Sequence, residues 1–205
     1  MPSKIRDVIK KIGRIENDDD IVFQLTKLPQ KDKGNNMPHT LCPTEDYINQ
    51  VDTIFLPNDN GFKYLLVCVD LATRLCDAEP MKNKESDTTR KALSKIYRRH
   101  HYCYQPKIIE VDDGTEFKGE FKRYFSVYSV IRVKEPGRHR QQSVVESMNY
   151  VIGNALNHLM LQEEIRTNEI NRQWVRYIKP LIEEINKKYK HKQWRQHYAS
   201  AHFRL

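Results

Sequence analysis

Two apolar runs, Ile48 to Leu56 and Tyr64 to Leu71, flank the breaker segment Pro57-Asn58-Asp59-Asn60-Gly61. An Asn-Gly pair between such runs is a strong short-range signal for a β-hairpin, because both turn positions favour positive φ. The second run is mostly apolar, which marks a central strand. A third strand, Leu75 to Met81, follows a tight turn near Thr73-Arg74. Ser86 to His101 then reads as a helix, with Ser86 as N-cap, Asp87 in the first turn, and Ala92, Leu93, Ile96 and Tyr97 as its apolar stripe. Pro106 resets the chain before a short strand at Lys107 to Val111. Glu116 to Tyr124 is a second helix and Val130 to Val133 a fifth strand. A long helix from Ser143 to Gln162 follows, then a last one from Glu169 to Tyr189 carrying Trp174, Ile178, Leu181 and Ile185. Hairpin strands followed by crossover units predict an α/β fold, a five-stranded mixed sheet with helices on both faces.

Upstream, Ser3 to Ile15 reads as a basic helix, followed by the acidic break Asp18-Asp19-Asp20 and a short apolar stretch, Ile21 to Leu28. The segment from Pro29 to Asn36 is rich in breakers and charge and reads as a linker. These features predict an N-terminal extension at 1–46, a core at 47–165, and a C-terminal helix with a basic tail at 166–205.

Of the 205 residues, 39 % are hydrophobic and 30 % charged, which suits a globular chain and excludes a fully disordered one. The net charge of +8 suggests an anionic partner, nucleic acid first. No apolar run is long enough for a membrane span and the first residues lack a signal-peptide core, so an intracellular, membrane-free protein is expected. Cys42, Cys68, Cys76 and Cys103 form no C-x-x-C pair and read as reduced thiols, with Cys68 and Cys76 serving as small hydrophobes. His39 and Cys42 alone cannot close a tetrahedral zinc site.

Three acidic residues stand out by position. Asp52 lies inside the first strand among Val51, Ile54 and Phe55. Asp112 ends the fourth strand, where open α/β sheets place ligands. Glu146 lies in the first turns of the long helix. A carboxylate in a central strand is costly unless something pairs with it, and a divalent cation removes that cost. Two cations about 3.5–4 Å apart, held by carboxylate oxygens, would suit Mg²⁺ or Mn²⁺ and an in-line phosphoryl displacement. Taken singly, each residue reads better as a cap or a surface charge, Asp52 least readily because its neighbours look buried.

Together these residues resemble a known family. Asn49-Gln50-Val51-Asp52 looks like the W-Q-x-D opening of retroviral and transposon integrase cores, and Lys63 to Asp70 is similar to their second strand. Val111-Asp112-Asp113-Gly114-Thr115-Glu116-Phe117 resembles their T-D-N-G-x-E-F segment, and Ser143-Val144-Val145-Glu146-Ser147-Met148-Asn149 their V-V-E-S-M-N helix start. The likeness spans Tyr47 to Met160. Gln173-Trp174-Val175 in the last helix is also similar to integrases of large self-synthesising DNA transposons and related viruses. The resemblance implies an RNase H-like fold and a metal-binding catalytic triad of Asp52, Asp112 and Glu146. It further implies 3′-end processing and strand transfer without a covalent enzyme intermediate, and a homo-oligomer that joins element ends to target DNA, in the host nucleus for a eukaryotic element.

Asn49 replaces the family's Trp, and Asp113 replaces its Asn, adding negative charge beside the expected metals. The family's mobile loop falls on residues 137–142, where Arg138, His139 and Arg140 could contact phosphate and Gln141 or Gln142 a base edge. Asn149, three residues from Glu146, shares its helix face and suits support or DNA contact. Lys187 to Arg195 is basic with interleaved aromatics, and His100-His101 reads as a pair facing water at a helix end. Two other functions fit the same sequence: an RNase H-like nuclease that cuts without joining, and an inactive domesticated DNA-binding or assembly protein.

Overall fold

The computed structural model describes Cys42, residues 44–134 and residues 143–188. The expected N-terminal helix, the linker, the loop 137–142 and the tail beyond 188 lie outside the described residues. Five strands form one sheet: β1 (Ile48–Asp59), β2 (Phe62–Asp70), β3 (Cys76–Met81), β4 (Ile108–Val111) and β5 (Val130–Val133). Their order is β3-β2-β1-β4-β5. The β1–β2 and β2–β3 pairs are antiparallel, and the β1–β4 and β4–β5 pairs are parallel. This is the mixed sheet of an RNase H-like fold.

The hairpin forms where the Asn-Gly signal lies. Asn60 and Gly61 both take positive φ, 50° and 90°, and the Gly61 N–H donates to the Asn58 side chain. β1 runs three residues further than its apolar pattern indicates. A register shift between Phe55 and Asp59 lets Pro57 sit in the strand without a ladder donor.

Helices cover both faces. α1 (Ser86–Arg99) and α2 (Gly119–Phe125) pack on Val51, Leu66, Cys68, Ile109 and Val111. α3 (Ser143–Thr167) and α4 (residues 178–188) pack on Leu65, Val67, Val69 and Ala78. Val145, Met148, Ile152, Leu156 and Leu159 are all buried, as their helical spacing predicts. Cys68, Cys76 and Cys103 are buried free thiols.

Four local expectations are corrected. The N-cap of α1 is Glu85, and Ser86 Oγ instead donates to the Lys118 carbonyl and accepts the Phe121 N–H, tying α1 to α2. The helix expected at Glu116 to Tyr124 is a 3₁₀ turn, Thr115–Phe117, followed by α2, with Gly119 at φ 52° between them. α3 continues to Thr167 and ends at Asn168, whose left-handed φ of 55° stops the helix. Residues 170–174 are irregular, so the last helix starts at 178 after a 3₁₀ turn. Its expected core positions are nonetheless buried: Trp174, Ile178, Leu181 and Ile185 join the α3 cluster.

Candidate active site

The β1–β4 register pairs Ile48 with Ile108, Asn49 with Ile109 and Gln50 with Glu110. Carried two residues further, the same register sets Asp52 beside Asp112, one strand spacing away. β4 ends at Val111, so Asp112 leaves the sheet where Asp52 loses its neighbour on that side. Period-2 alternation turns Gln50, Asp52, Ile54 and Leu56 towards α3 and α4, and Val51 towards α1. The sheet thus delivers two carboxylates to one edge on the face covered by α3.

Asp52 is held from two sides. Its Oδ1 accepts the Thr53 N–H at 2.7 Å, and its Oδ2 accepts Asn149 Nδ2 at 2.8 Å. Burial pushes its carboxyl up to about 6, opposed by the Thr53 hydrogen bond and reinforced by the charges of Asp112, Glu146 and Glu116. Asp112 Oδ1 accepts the Gly114 N–H at 3.0 Å. A Cβ on Gly114 would lie 2.5 Å from Glu116 Oε2 and 2.8 Å from Asp112 Oδ1, so a side chain there would push these carboxylates from their present positions. Glu116 is buried and pairs with Lys84 Nζ at 2.6 Å. Burial works against the charge of Lys84, but Glu116, Asp112 and Asp52 outweigh it and hold the ammonium above its usual range.

Glu146, in the first turn of α3, is half-exposed and pairs with Lys134 Nζ at 2.7 Å. Its helix is anchored by Gln50, the Gln of the W-Q-x-D-like opening, to which the sequence alone assigns no role. The Gln50 side chain accepts the Val145 N–H at 3.1 Å and donates to Glu110 Oε2 at 2.9 Å. One buried amide therefore joins β1, β4 and the start of α3. Arg132 closes the other side of Glu110. Replacing Gln50 with Met, of similar length but without the amide, orphans the Val145 N–H. Leaving a buried donor without its partner costs about 1–3 kcal/mol. Urea unfolding of Gln50→Met is expected to show a loss in that range.

The structure brings Asp52, Asp112 and Asn149 together, with Glu146 close enough to raise Asp52. Asn149 reaches the site through its hydrogen bond to Asp52. Arg138, His139, Arg140, Gln141 and Gln142 lie outside the described residues. Asp113 does not add its charge to the site, being 71 % exposed and paired with Lys118. Glu116 is instead the additional carboxylate; its place in the T-D-N-G-x-E-F-like segment was the available signal, whereas Lys84 and Lys134 gave none. Asn49, where the family has Trp, is buried and donates to the Tyr104 carbonyl.

The donors are carboxylate oxygens under mutual repulsion, a set suited to hard divalent cations. Among the described residues, no three acidic, histidine or cysteine side chains are grouped as a ready-made metal cage. The residue types fit such ions, and a closed site requires Glu146 to leave Lys134.

Sheet order, strand directions and helix layers define an RNase H-like domain with carboxylates at its strand ends. Residues 43–137 match the family model of the integrase core domain. The matched segment holds Asp52 and Asp112 and stops short of Glu146. A transposon-derived protein of Caenorhabditis elegans is 23 % identical over 129 residues, 63 % of this chain and 42 % of the relative, so the chain spans less than half of that relative's length. Among solved structures, a simian T-cell lymphotropic virus intasome in complex with PP2A regulatory subunit B56 gamma contains a chain that is 18 % identical, with a TM-score of 0.50, over 65 % of this chain and 53 % of that one. The HTLV-2 integrase catalytic core domain, in complex with magnesium, is 23 % identical with a TM-score of 0.46, over 57 % of this chain and 74 % of that one. At 18 % identity the likeness to the intasome chain speaks for the fold alone.

Proposed function

We propose that this chain is the catalytic core of an integrase that processes the 3′ ends of a mobile element's or virus's DNA and joins them to target DNA. The observation that carries the reading is the half-buried carboxylate of Asp52, held by Thr53 and Asn149 and raised by the charges of Asp112, Glu146 and Glu116, in a chain whose residues 43–137 match the integrase core domain model. Asp52, Asp112 and Glu146 are the residues that would hold two Mg²⁺ or Mn²⁺ ions. Such ions would activate the attacking hydroxyl and stabilise the leaving oxygen of an in-line displacement. The protein's part is to fix the carboxylates: Thr53 and Asn149 orient Asp52, Gly114 orients Asp112, and Gln50 sets the start of the helix bearing Glu146. No protein nucleophile is needed. Arg138, His139, Arg140, Gln141 and Gln142 extend the DNA contact in this reading, and a homo-oligomer follows from the need to hold two DNA ends. For a eukaryotic element the chain would act in the nucleus.

Incubation with oligonucleotides bearing the element's ends and with target duplex tests the reading by its products. Joined products that require Mg²⁺ or Mn²⁺ and vanish with chelator are expected. Asp112→Asn and Glu146→Gln should each lower joining about 10³-fold or more, a loss of roughly 4 kcal/mol of transition-state stabilisation. Cut but unjoined products would indicate a nuclease. One observation favours a second reading, an inactive domesticated DNA-binding or assembly protein: the acidic groups are not gathered into a ready-made cage among the described residues. DNA binding without any metal-dependent product, including the reverse disintegration reaction, would decide for it.

A further inference from the structure

Lys134 follows directly after β5, and its surroundings place it within the carboxylate site. Its backbone N–H donates to the Val111 carbonyl at 2.8 Å, which anchors it beside the strand end that leads into Asp112. Its ammonium lies 2.7 Å from Glu146 Oε1. Its side chain is 18 % exposed, whereas the carboxylate it holds is 47 % exposed, so the cation is the more buried partner. Asp52 is held by neutral donors, Asn149 and the Thr53 N–H, and Asp112 by the Gly114 N–H. Glu146, by contrast, is engaged by a cation. Lys84 differs, because the carboxylate it pairs with, Glu116, is buried.

We infer that Lys134 is a DNA-phosphate contact of this site, held on Glu146 until a divalent cation takes that carboxylate. The inference rests on the proposed role of Asp52, Asp112 and Glu146 as the metal-holding residues. A doubly charged ion shared by several carboxylates attracts Glu146 more strongly than one ammonium does. Once displaced, Lys134 is a largely covered ammonium without a counter-charge, next to the place where a phosphodiester must sit. Lysine binds phosphate as a point charge and needs no fixed fork geometry, so a short swing of its side chain is enough. The exchange keeps the site's charge matched before and after loading.

The test uses the whole chain, Mn²⁺, and a duplex of arbitrary sequence, since a phosphate contact reads no bases. Lys134→Met removes the charge, and Lys134→Gln leaves a neutral donor on Glu146 should the methionine variant fold poorly. Without DNA, both variants are expected to bind Mn²⁺ about three- to tenfold more tightly than the parent, because no ammonium competes for Glu146. With Mn²⁺ present, the salt dependence of duplex binding should be shallower in both variants by about 0.9 in log–log slope, the weight of one phosphate contact. In chelator the slopes should coincide with the parent's, because Lys134 is then occupied by Glu146. Unchanged Mn²⁺ affinity, equal slopes in Mn²⁺, or a slope difference of the same size in chelator would each overturn the inference. Failure of the underlying metal assignment shows separately, as parental Mn²⁺ binding by Asp112→Asn and Glu146→Gln, and the inference then falls with it.

Discussion

Asp52→Asn should abolish DNA joining and, at pH 7 without metal, yield a more stable protein than the parent. Both effects come from one carboxylate. Burial pushes Asp52 up to about 6, and Asp112, Glu146 and Glu116 add to the rise. The folded protein therefore holds the Asp52 proton more tightly than the unfolded chain, where the group titrates near 3.8. Below about pH 4 the carboxyl is protonated in both states and costs nothing. Between about pH 4 and 6 the unfolded chain gives up the proton while the folded protein keeps it, so stability is lost as the pH rises towards 6, above which the folded state carries a half-desolvated charge at full cost. Asparagine keeps the neutral condition at every pH. Its side-chain oxygen can still accept the Thr53 N–H, and Asn149 can turn its own oxygen towards the new amide. The expected gain at pH 7 is about 1–3 kcal/mol, shrinking to nothing near pH 4. Melting of parent and variant across pH 4–8 in chelator measures it. Added Mg²⁺ or Mn²⁺ should stabilise only the parent and reverse the order. A variant less stable than the parent at pH 7 in chelator would show that Asp52 is not electrostatically strained.

The same residue shows how much the sequence revealed. A mid-strand aspartate among apolar neighbours is legible because a buried charge needs a partner, and strand alternation fixes the face it points to. Asp112 is legible from its strand end. Their adjacency is not, because it depends on the parallel register of β1 and β4, which are separated by two further strands and a helix. Element types followed from periodicity, while boundaries failed where side chains act across the fold. Ser86 looks like an N-cap by local rules, yet its hydroxyl is used by Lys118 and Phe121. Gly119 breaks a stretch whose apolar spacing favours one helix, because the chain needs a positive φ there. Lys134 carries no local signal, and Gln50 shows only as the Gln of the W-Q-x-D-like opening, since they act on residues 12 and 95 positions away. Asp113 shows the reverse: its position in a motif suggested a role, and its side chain points to solvent.

Trp174→Ala should remove about 3–5 kcal/mol of stability, the largest loss expected from a single core substitution here. Trp174 is fully buried and belongs to the cluster formed by β2, β3, α3 and α4. Its indole N–H donates to the Pro57 carbonyl at 2.7 Å, and the next backbone N–H, of Val175, donates to Asp59 Oδ2 at 2.8 Å. The irregular end of β1 and the irregular segment before α4 thus satisfy each other, which explains why neither follows its local pattern. Alanine leaves a large cavity and an unpaired carbonyl, whereas Trp174→Phe forfeits mainly the hydrogen bond, about 1 kcal/mol. Urea unfolding of the two variants should show this difference in a single transition that includes the sheet. A loss under about 1 kcal/mol for the alanine variant would mean that residues 170–188 merely lean on the domain. The distinction bears on the active site. α4 backs the apolar face of α3, and Asn186 on α4 hydrogen-bonds both backbone groups of Cys76 on the edge strand β3. If α4 is integral, a chain cut at 165 will expose the α3 cluster and lose the platform that carries Glu146, although both aspartates remain in place in the sequence.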